Sequence, residues 1–238
     1  MPIKHFGGPV QPGVQIFPGR TALARHCHAE GYATVVLSGS FVESGFLGRV
    51  EVEPGDVILH GRFDCHIDRS DDSRRVQLLR LPWLDDRIEG HFRVADPDLI
   101  ARTAERDSRE SVAALEEGLQ AVSSGLEHWT NRLASALRDT PSLSLARWAS
   151  EMGMRPEALS RGFHREFGVS PKQFRLEARA RRAWFEVQAS PQSLTVIAQD
   201  CGFSDLAHMS RSVRSLTGRP PSAWRSPGST SLTQIRSS

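Results

Sequence analysis

The strongest constraint on this chain is a repeat within its last hundred residues. Ala149-Ser150-Glu151-Met152-Gly153-Met154 returns as Ala198-Gln199-Asp200-Cys201-Gly202-Phe203, at an offset of 49. Gly168-Val169-Ser170-Pro171-Lys172-Gln173-Phe174-Arg175 returns as Gly218-Arg219-Pro220-Pro221-Ser222-Ala223-Trp224-Arg225, at an offset of 50. Two copies of one unit that differ by a single insertion account for both offsets.

Each copy has the punctuation of two short helices joined by a tight turn. In the first, Leu145, Trp148, Ala149 and Met152 make an apolar face that stops at Gly153, where a residue without Cβ adopts the left-handed conformation freely. A second helix opens at Pro156, a favourable first helical position, and buries Leu159, Phe163 and Phe167. In the second copy Leu194, Ile197 and Ala198 build the first helix, Gly202 ends it, and Ser204 is the expected cap of the next. Ala149 and Ala198 are small enough to let the paired helices approach closely. Between the copies, Ser170-Pro171-Lys172-Gln173 reads as a capping box for a helix reaching about Ala189, with Leu176, Ala180, Ala183, Trp184 and Val187 on one stripe. Twenty residues at 1.5 Å each span about 30 Å, near one turn of B-DNA, so such a rod could set two recognition helices in successive major grooves.

Charge supports that reading. Residues 1–127 hold 14 Lys and Arg against 20 Asp and Glu, a net −6, while residues 128–225 hold 15 against 8, a net +7. The whole-chain value of +2 hides an acidic half and a basic half, the pattern expected when only one half meets a polyanion. Three cysteines, Cys27, Cys65 and Cys201, are too few and too unevenly spaced for a disulfide framework and point to a reducing compartment. No stretch reaches about 20 uninterrupted apolar residues, and Met1–Val10 has no apolar core suited to a signal peptide. A cytoplasmic bacterial protein with no membrane partner is expected, with a disordered Ser-rich tail over 227–238.

Residues 14 to 82 read as short strands. Tyr32 to Leu37, Arg49 to Val52, Val57 to His60 and Val76 to Leu81 are rich in β-branched residues and lie between turn signals such as Gly31, Ser38-Gly39 and Pro54-Gly55. A small antiparallel barrel or sandwich follows. From Pro97 the period becomes helical, and Val112, Leu115, Leu119, Val122 and Leu126 fall on one face of a helix weakened by Gly118 and Gly125. That face packs either on its own barrel or on a second copy of the chain.

The repeat resembles the AraC/XylS family of bacterial transcription regulators over Leu143 to Arg225. The resemblance is carried by Ile197-Ala198, Gly202-Phe203-Ser204-Asp205, Ser210-Arg211 and Gly218 through Pro221 to Trp224-Arg225. In the first copy it is carried by Leu159-Ser160-Arg161, Phe163 and Gly168 through Pro171. Met209 and Val213 stand where the family usually has Phe, and Leu206 where a polar residue is common. The resemblance implies double-stranded DNA as partner, RNA polymerase as a further partner for an activator, and a homodimer as one mode of assembly. On the first recognition helix Glu157, Ser160, Arg161 and His164 lie away from the buried stripe. There Arg161 could bond a guanine edge twice and Glu157 could accept from a cytosine amine. On the second, Asp205, Leu206, Ser210, Arg211 and Arg214 occupy the comparable surface. Arg155, where a helix favours Ser, Thr, Asn or Asp as cap, is assigned a phosphate contact at the groove edge. Arg175, Arg179, Arg181 and Arg182 are assigned phosphate or water.

In the first half, His26-Cys27-His28 and the lone His66 after Pro54-Gly55-Asp56 resemble the two motifs of a cupin barrel. Strand alternation points His26 and His28 to one face and Cys27 to the other. Three imidazoles could then hold Zn, Fe or Mn. The pattern also expects a Glu about five residues beyond the second His, where this chain has Ala33, so Glu30 would have to substitute. Three readings stand: a metal site of His26, His28 and His66; a metal-free effector pocket of His26, His28, Tyr32 and His66; and histidines that only fill a core.

The expected fold is therefore α+β. It has a cupin-like β-barrel sensor over 1–84, a helical linker and possible dimerisation helix over 85–127, and an all-α double helix-turn-helix domain over 128–226. The expected function is sequence-specific DNA binding in response to a small effector, without enzymatic activity. The alternative is a cupin-type metalloenzyme fused to a DNA-binding domain, which requires a complete metal site and a general acid or base.

Overall fold

The computed structural model describes residues 4–6, 11–71, 73–85, 88–122, 128–140 and 142–225. They form two compact units, the first reaching Phe174 and the second beginning at Arg175.

The first unit opens with ten strands in chain order: β1 (Lys4–Phe6), β2 (Gly13–Phe17), β3 (Ala22–His28), β4 (Tyr32–Ser38), β5 (Phe41–Gly45), β6 (Gly48–Val52), β7 (Asp56–His60), β8 (Cys65–Arg69), β9 (Val76–Pro82) and β10 (Gly90–Arg93). Two helices follow, α1 (Pro97–Ala104) and α2 (Ser108–Gly118), then a short strand β11 (Gln120–Ala121). The strands form two sheets, ordered β1-β3-β8-β5-β6 and β11-β10-β7-β4-β9-β2. All pairings are antiparallel except β1 with β3.

The expected barrel does not close. Among the described residues, no edge strand of one sheet pairs with the other. The sheets instead face each other across a shared core in which Phe41, Val50 and Val52 of the first meet Val36, Ile58, Val76 and Leu78 of the second. The opposite face of the second sheet is covered by α1 and α2, through Ile100 and Leu115 against Ala33, Val35, Val57, Leu59, Leu79 and Leu81. Burial on both faces explains why β4 and β7 read as continuous apolar runs rather than alternating ones.

The expected apolar helix through residue 126 is overturned. Helix α2 ends at Gly118, Leu119 is extended, and Gln120 and Ala121 pair with Arg93 and Phe92 of β10. Val112, Leu115 and Leu119 pack on the sheet core, which accounts for the periodicity without a second copy. Gly125 and Leu126, like the tail over 227–238, lie outside the described residues.

The first helical repeat completes this unit. It consists of α3 (Trp129–Asp139), α4 (Leu145–Glu151), α5 (Pro156–Phe167) and the start of α6 (Pro171–Ala189). The second unit contains the rest of α6 with α7 (Leu194–Asp200), α8 (Leu206–Thr217) and α9 (Pro221–Trp224). The two repeats share the first-helix cap, the turn and the last-helix stop. Ser144 accepts from Arg147 N to cap α4, and Ser193 from Val196 N to cap α7. After the glycines of the turns, at φ +64° and +76°, Met154 N donates to Ala149 O at 2.8 Å and Phe203 N to Ala198 O at 2.9 Å. Helices α5 and α8 end on left-handed Gly168 and Gly218. Cys201 is buried where α7 ends.

Candidate functional site

The recognition helices bury one stripe and expose another. In α5, Leu159, Phe163 and Phe167 are buried, while Arg155, Glu157, Arg161 and His164 are exposed and Ser160 is half-buried. The Arg155 side chain makes no capping bond, and an exposed cation stands at the helix start. In α8, Met209, Val213 and Leu216 are buried and Arg211 and Arg214 are exposed, with Leu206 and Ser210 half-buried. The cap of α8 is Asp205 rather than Ser204. Its Oδ1 accepts from His208 N at 2.7 Å and its Oδ2 from Ser204 Oγ at 3.1 Å. Those bonds hold its carboxyl below the usual 3.8, the His208 N–H first among them. Two of the arginines assigned to phosphate are also occupied: Arg181 is buried, with its guanidinium against the Phe185 ring, and Arg179 Nη1 donates to Gly202 O at 2.9 Å.

The last turn of α5 rests on the first sheet. Arg25 Nη1 of β3 donates to Phe167 O at 3.1 Å, and Arg69 of β8 donates to the carbonyls of Arg165 and Glu166. The Glu166 carboxylate receives Ser44 Oγ of β5 at 3.2 Å and Arg49 Nε of β6 at 3.1 Å. Cations at a helix C-terminus also meet the negative end of its dipole. Helix α3 docks beside this contact. Asn131 Oδ1 accepts from Arg49 N at 2.7 Å and its Nδ2 donates to Arg49 O at 3.1 Å, as a neighbouring strand would.

On the inner face of the same strands lies a buried polar cluster. His26 and His66 are register partners on β3 and β8, with ring centroids 4.4 Å apart, and His28 stacks on His66 at 5.6 Å. Tyr32 Oη is 3.2 Å from His66 Nε2, and the Tyr32 ring stacks on His60 at 4.3 Å. The four expected pocket residues are thus brought together. The rings of His26 and His28 lie beside that of His66. Of the four, Tyr32 and His66 line a cavity of about 40 Å³ between the sheets. Its apolar end is Phe17, Leu23, Phe41, Val76 and Leu78.

Several members of the cluster escaped the sequence reading. Glu43 and Arg80 line the cavity, and both were legible in principle: alternation places Glu43 beside Phe41, and Arg80 beside Val76 and Leu78, on inward faces. His60 and Asp64 had no such signal, because the 60–64 turn that pairs His60 Nδ1 with Asp64 Oδ2 at 3.1 Å depends on Phe63 at φ +58°, unusual for a bulky residue. The carboxylate missing at Ala33 is not replaced by Glu30. Asp68 approaches two members of the triad, with Oδ2 3.9 Å from both His26 Nε2 and His66 Nε2. A metal on His26, His28 and His66 would have the Nε2 of His26 available, since Nδ1 bonds Ala24 O at 2.9 Å. It would also sit within the field of the Arg80 guanidinium, which already acts against positive charge on His26 and His28.

The expectation of unpaired cysteines is overturned. Cys27 and Cys65, facing away from the cluster and in register, form a disulfide, so alternation correctly excludes them from the pocket while bringing them together behind it.

Burial governs the electrostatics of the cluster. Desolvation lowers His26 to about 4 and His28 to about 3, and holds His66 well below 6.5, so these imidazoles are neutral at physiological pH. The same cause raises Asp68 to about 7 and pushes Glu43 and the Tyr32 hydroxyl well above their ordinary values.

Residues 148–226 match a family model described as a helix-turn-helix domain. Among solved structures, unsaturated-fatty-acid-bound ToxT from Vibrio cholerae is 9% identical over 90% of this chain and 94% of that one, with a TM-score of 0.41. The C-terminal domain of AraT, a response regulator from Geobacillus stearothermophilus, is 20% identical over 48% and 97%, with a TM-score of 0.42. A transcriptional regulator with an AraC-type DNA-binding domain from Chromobacterium violaceum is 28% identical over 40% and 91%, with a TM-score of 0.37. No curated protein matches the chain. Among the described residues no helix is long and apolar enough to cross a membrane.

Proposed function

We infer, from a carboxy-terminal region that matches a helix-turn-helix family model over residues 148–226, that this chain is an AraC-type DNA-binding transcription regulator whose β-domain answers to a small effector. Helices α5 and α8 enter the major groove of double-stranded DNA. Arg161, with Glu157, Ser160 and His164, reads bases from α5. Arg211 and Arg214, with Ser210 and Leu206, act from α8. Arg155 contacts phosphate, and Asp205 serves the groove surface through its cap. The effector occupies the cavity lined by Tyr32 and His66, with His26 and His28 beside them completing the pocket. A homodimer, and contact with RNA polymerase for an activator, belong to the same reading.

The observation that carries effector control is strand alternation. On β3, β5 and β8 the inward side chains His26, Glu43 and His66 belong to the buried cluster, and the outward side chains Arg25, Ser44 and Arg69 of the same three strands hold the last turn of α5. A molecule that displaces an inward side chain shifts the same backbone that fixes the recognition helix. The test is a genome-wide map of binding sites, followed by fluorescence anisotropy on the recovered DNA with Arg161→Ala. Reproducible sites and a loss of discrimination in the variant support the proposal. Binding to no sequence above random DNA at low salt refutes it.

A further inference from the structure

The inner cluster contains a second set of donors that the cupin-like motifs do not account for. Glu43 from β5, His60 from β7, Asp64 from the following turn and His66 from β8 are 1–4% exposed. One donor atom from each lies within 4.8 Å of all the others. His60 Nε2 is 3.5 Å from Glu43 Oε2, and His66 Nδ1 is 3.9 Å from Asp64 Oδ2. Four ligands at about 2.1 Å from a tetrahedral ion stand roughly 3.4 Å apart, so the quartet needs only modest closure to reach that geometry.

Two independent observations point to a cation. First, His66 Nδ1 is fully buried and makes no hydrogen bond, although it is aimed at the Asp64 carboxylate, while Nε2 of the same ring is engaged by Tyr32. A buried polar nitrogen left in that state is expected to have a partner of another kind. Second, the donor chemistry is that of a metal site. Glu43 and Asp64 bring two buried carboxyl groups to the buried imidazoles of His60 and His66. Carboxylates with imidazoles are the donor set that zinc, iron or manganese accept.

We propose that Glu43, His60, Asp64 and His66 bind a divalent transition-metal ion, and that this quartet, rather than His26, His28 and His66, is the metal site of the β-domain. The quartet offers two carboxylates to offset the ion's charge, whereas the three-histidine set offers none. His66 is common to both sets, so the others discriminate. This inference concerns the β-domain alone and stands whether or not the chain binds DNA.

The experiment titrates the full-length chain, stripped with EDTA and dialysed, with Co²⁺ followed by visible absorption, and measures zinc stoichiometry by elemental analysis. One equivalent is expected in the wild-type protein. Glu43→Gln and His60→Asn should each weaken binding 10-fold or more, while the double variant His26→Asn/His28→Asn keeps wild-type affinity. No stoichiometric ion in the wild-type chain overturns the proposal, as does loss of binding in the double variant with retention in Glu43→Gln. Circular dichroism of each metal-free variant checks its fold. For a variant that does not fold, X-ray absorption on the wild-type Co²⁺ complex decides: two imidazoles with carboxylate oxygens support the quartet, and three imidazoles refute it.

Discussion

Asn131 stands in for a strand, and removing its amide should loosen the β-domain from the first helical repeat. Asn131→Ala deletes two hydrogen bonds to the backbone of Arg49, at 2.7 and 3.1 Å, from a side chain only 8% exposed. Each bond is worth about 1 kcal/mol net. Arg49 lies on β6, at the edge of its sheet and half-buried, so water can replace part of what is lost and the lower end of the desolvation penalty applies. The expected loss is therefore about 2 kcal/mol, roughly a 30-fold change in equilibrium constant. For a unit of this size that is a fall in midpoint of about 4–8 °C. Asn131→Asp is the companion variant, because its carboxylate still accepts from Arg49 N but faces Arg49 O without a proton to donate. It should be no more stable than the alanine variant. Thermal and urea denaturation followed by circular dichroism measure both. If Asn131→Ala lies within 0.5 kcal/mol of wild type, water satisfies Arg49 equally well, and the strand-like dock contributes nothing.

Further outcomes follow from the recognition helices. Arg161→Ala should cost more sequence discrimination than Arg211→Ala, because α5 presents Arg161 with Glu157 and Ser160 whereas α8 opens with Leu206; equal losses across a panel of operator variants would contradict this. Arg155→Ser should improve the cap of α5 yet lower the slope of log affinity against log salt by about one, and an unchanged slope removes the phosphate contact. Asp205→Ser, which keeps an oxygen at the cap, should leave hydrogen-exchange protection of α8 and operator discrimination intact, while Asp205→Ala exposes the first turn. Discrimination lost in the serine variant with protection retained would make Asp205 a base reader after all. The Asp205 carboxyl titrates lower in the folded than in the unfolded chain. Its stabilisation is therefore complete above about pH 4 and disappears as pH falls through the lowered value, which exchange at acidic pH can follow.

The helical half was largely legible because its signals are local. Turn glycines, the prolines opening α5, α6 and α9, and apolar stripes at 3.6 spacing fix each element from neighbours in sequence. The strands were legible for the same reason, since alternation and turns placed β4, β6, β7 and β9 within two residues. What escaped depends on pairing across distance. That Gln120 and Ala121 leave a helical stripe to join β10 is decided by an open sheet edge, which no window of eleven residues contains. The buried site was half visible: the two motifs named His26, His28 and His66, but Glu43 joins them through the pairing of β5 with β8, and His60 and Arg80 only because two sheets face each other. Cys27 and Cys65 were correctly turned away from the pocket, and only the register of β3 against β8 reveals that they are neighbours.

Gly168 and Gly218 hold the same place in the repeat, with φ +72° and +76°, yet their latitude for replacement differs. A Cβ at 218 would meet nothing within 4 Å, so asparagine, which tolerates the left-handed region, is an acceptable substitute there. A Cβ at 168 would press on Arg25 Cβ at 3.3 Å and Ile67 Cδ1 at 3.4 Å. In a saturation library the second glycine should drift and the first should not, and that difference in tolerance would record the sheet's grip on α5 without any ligand being known.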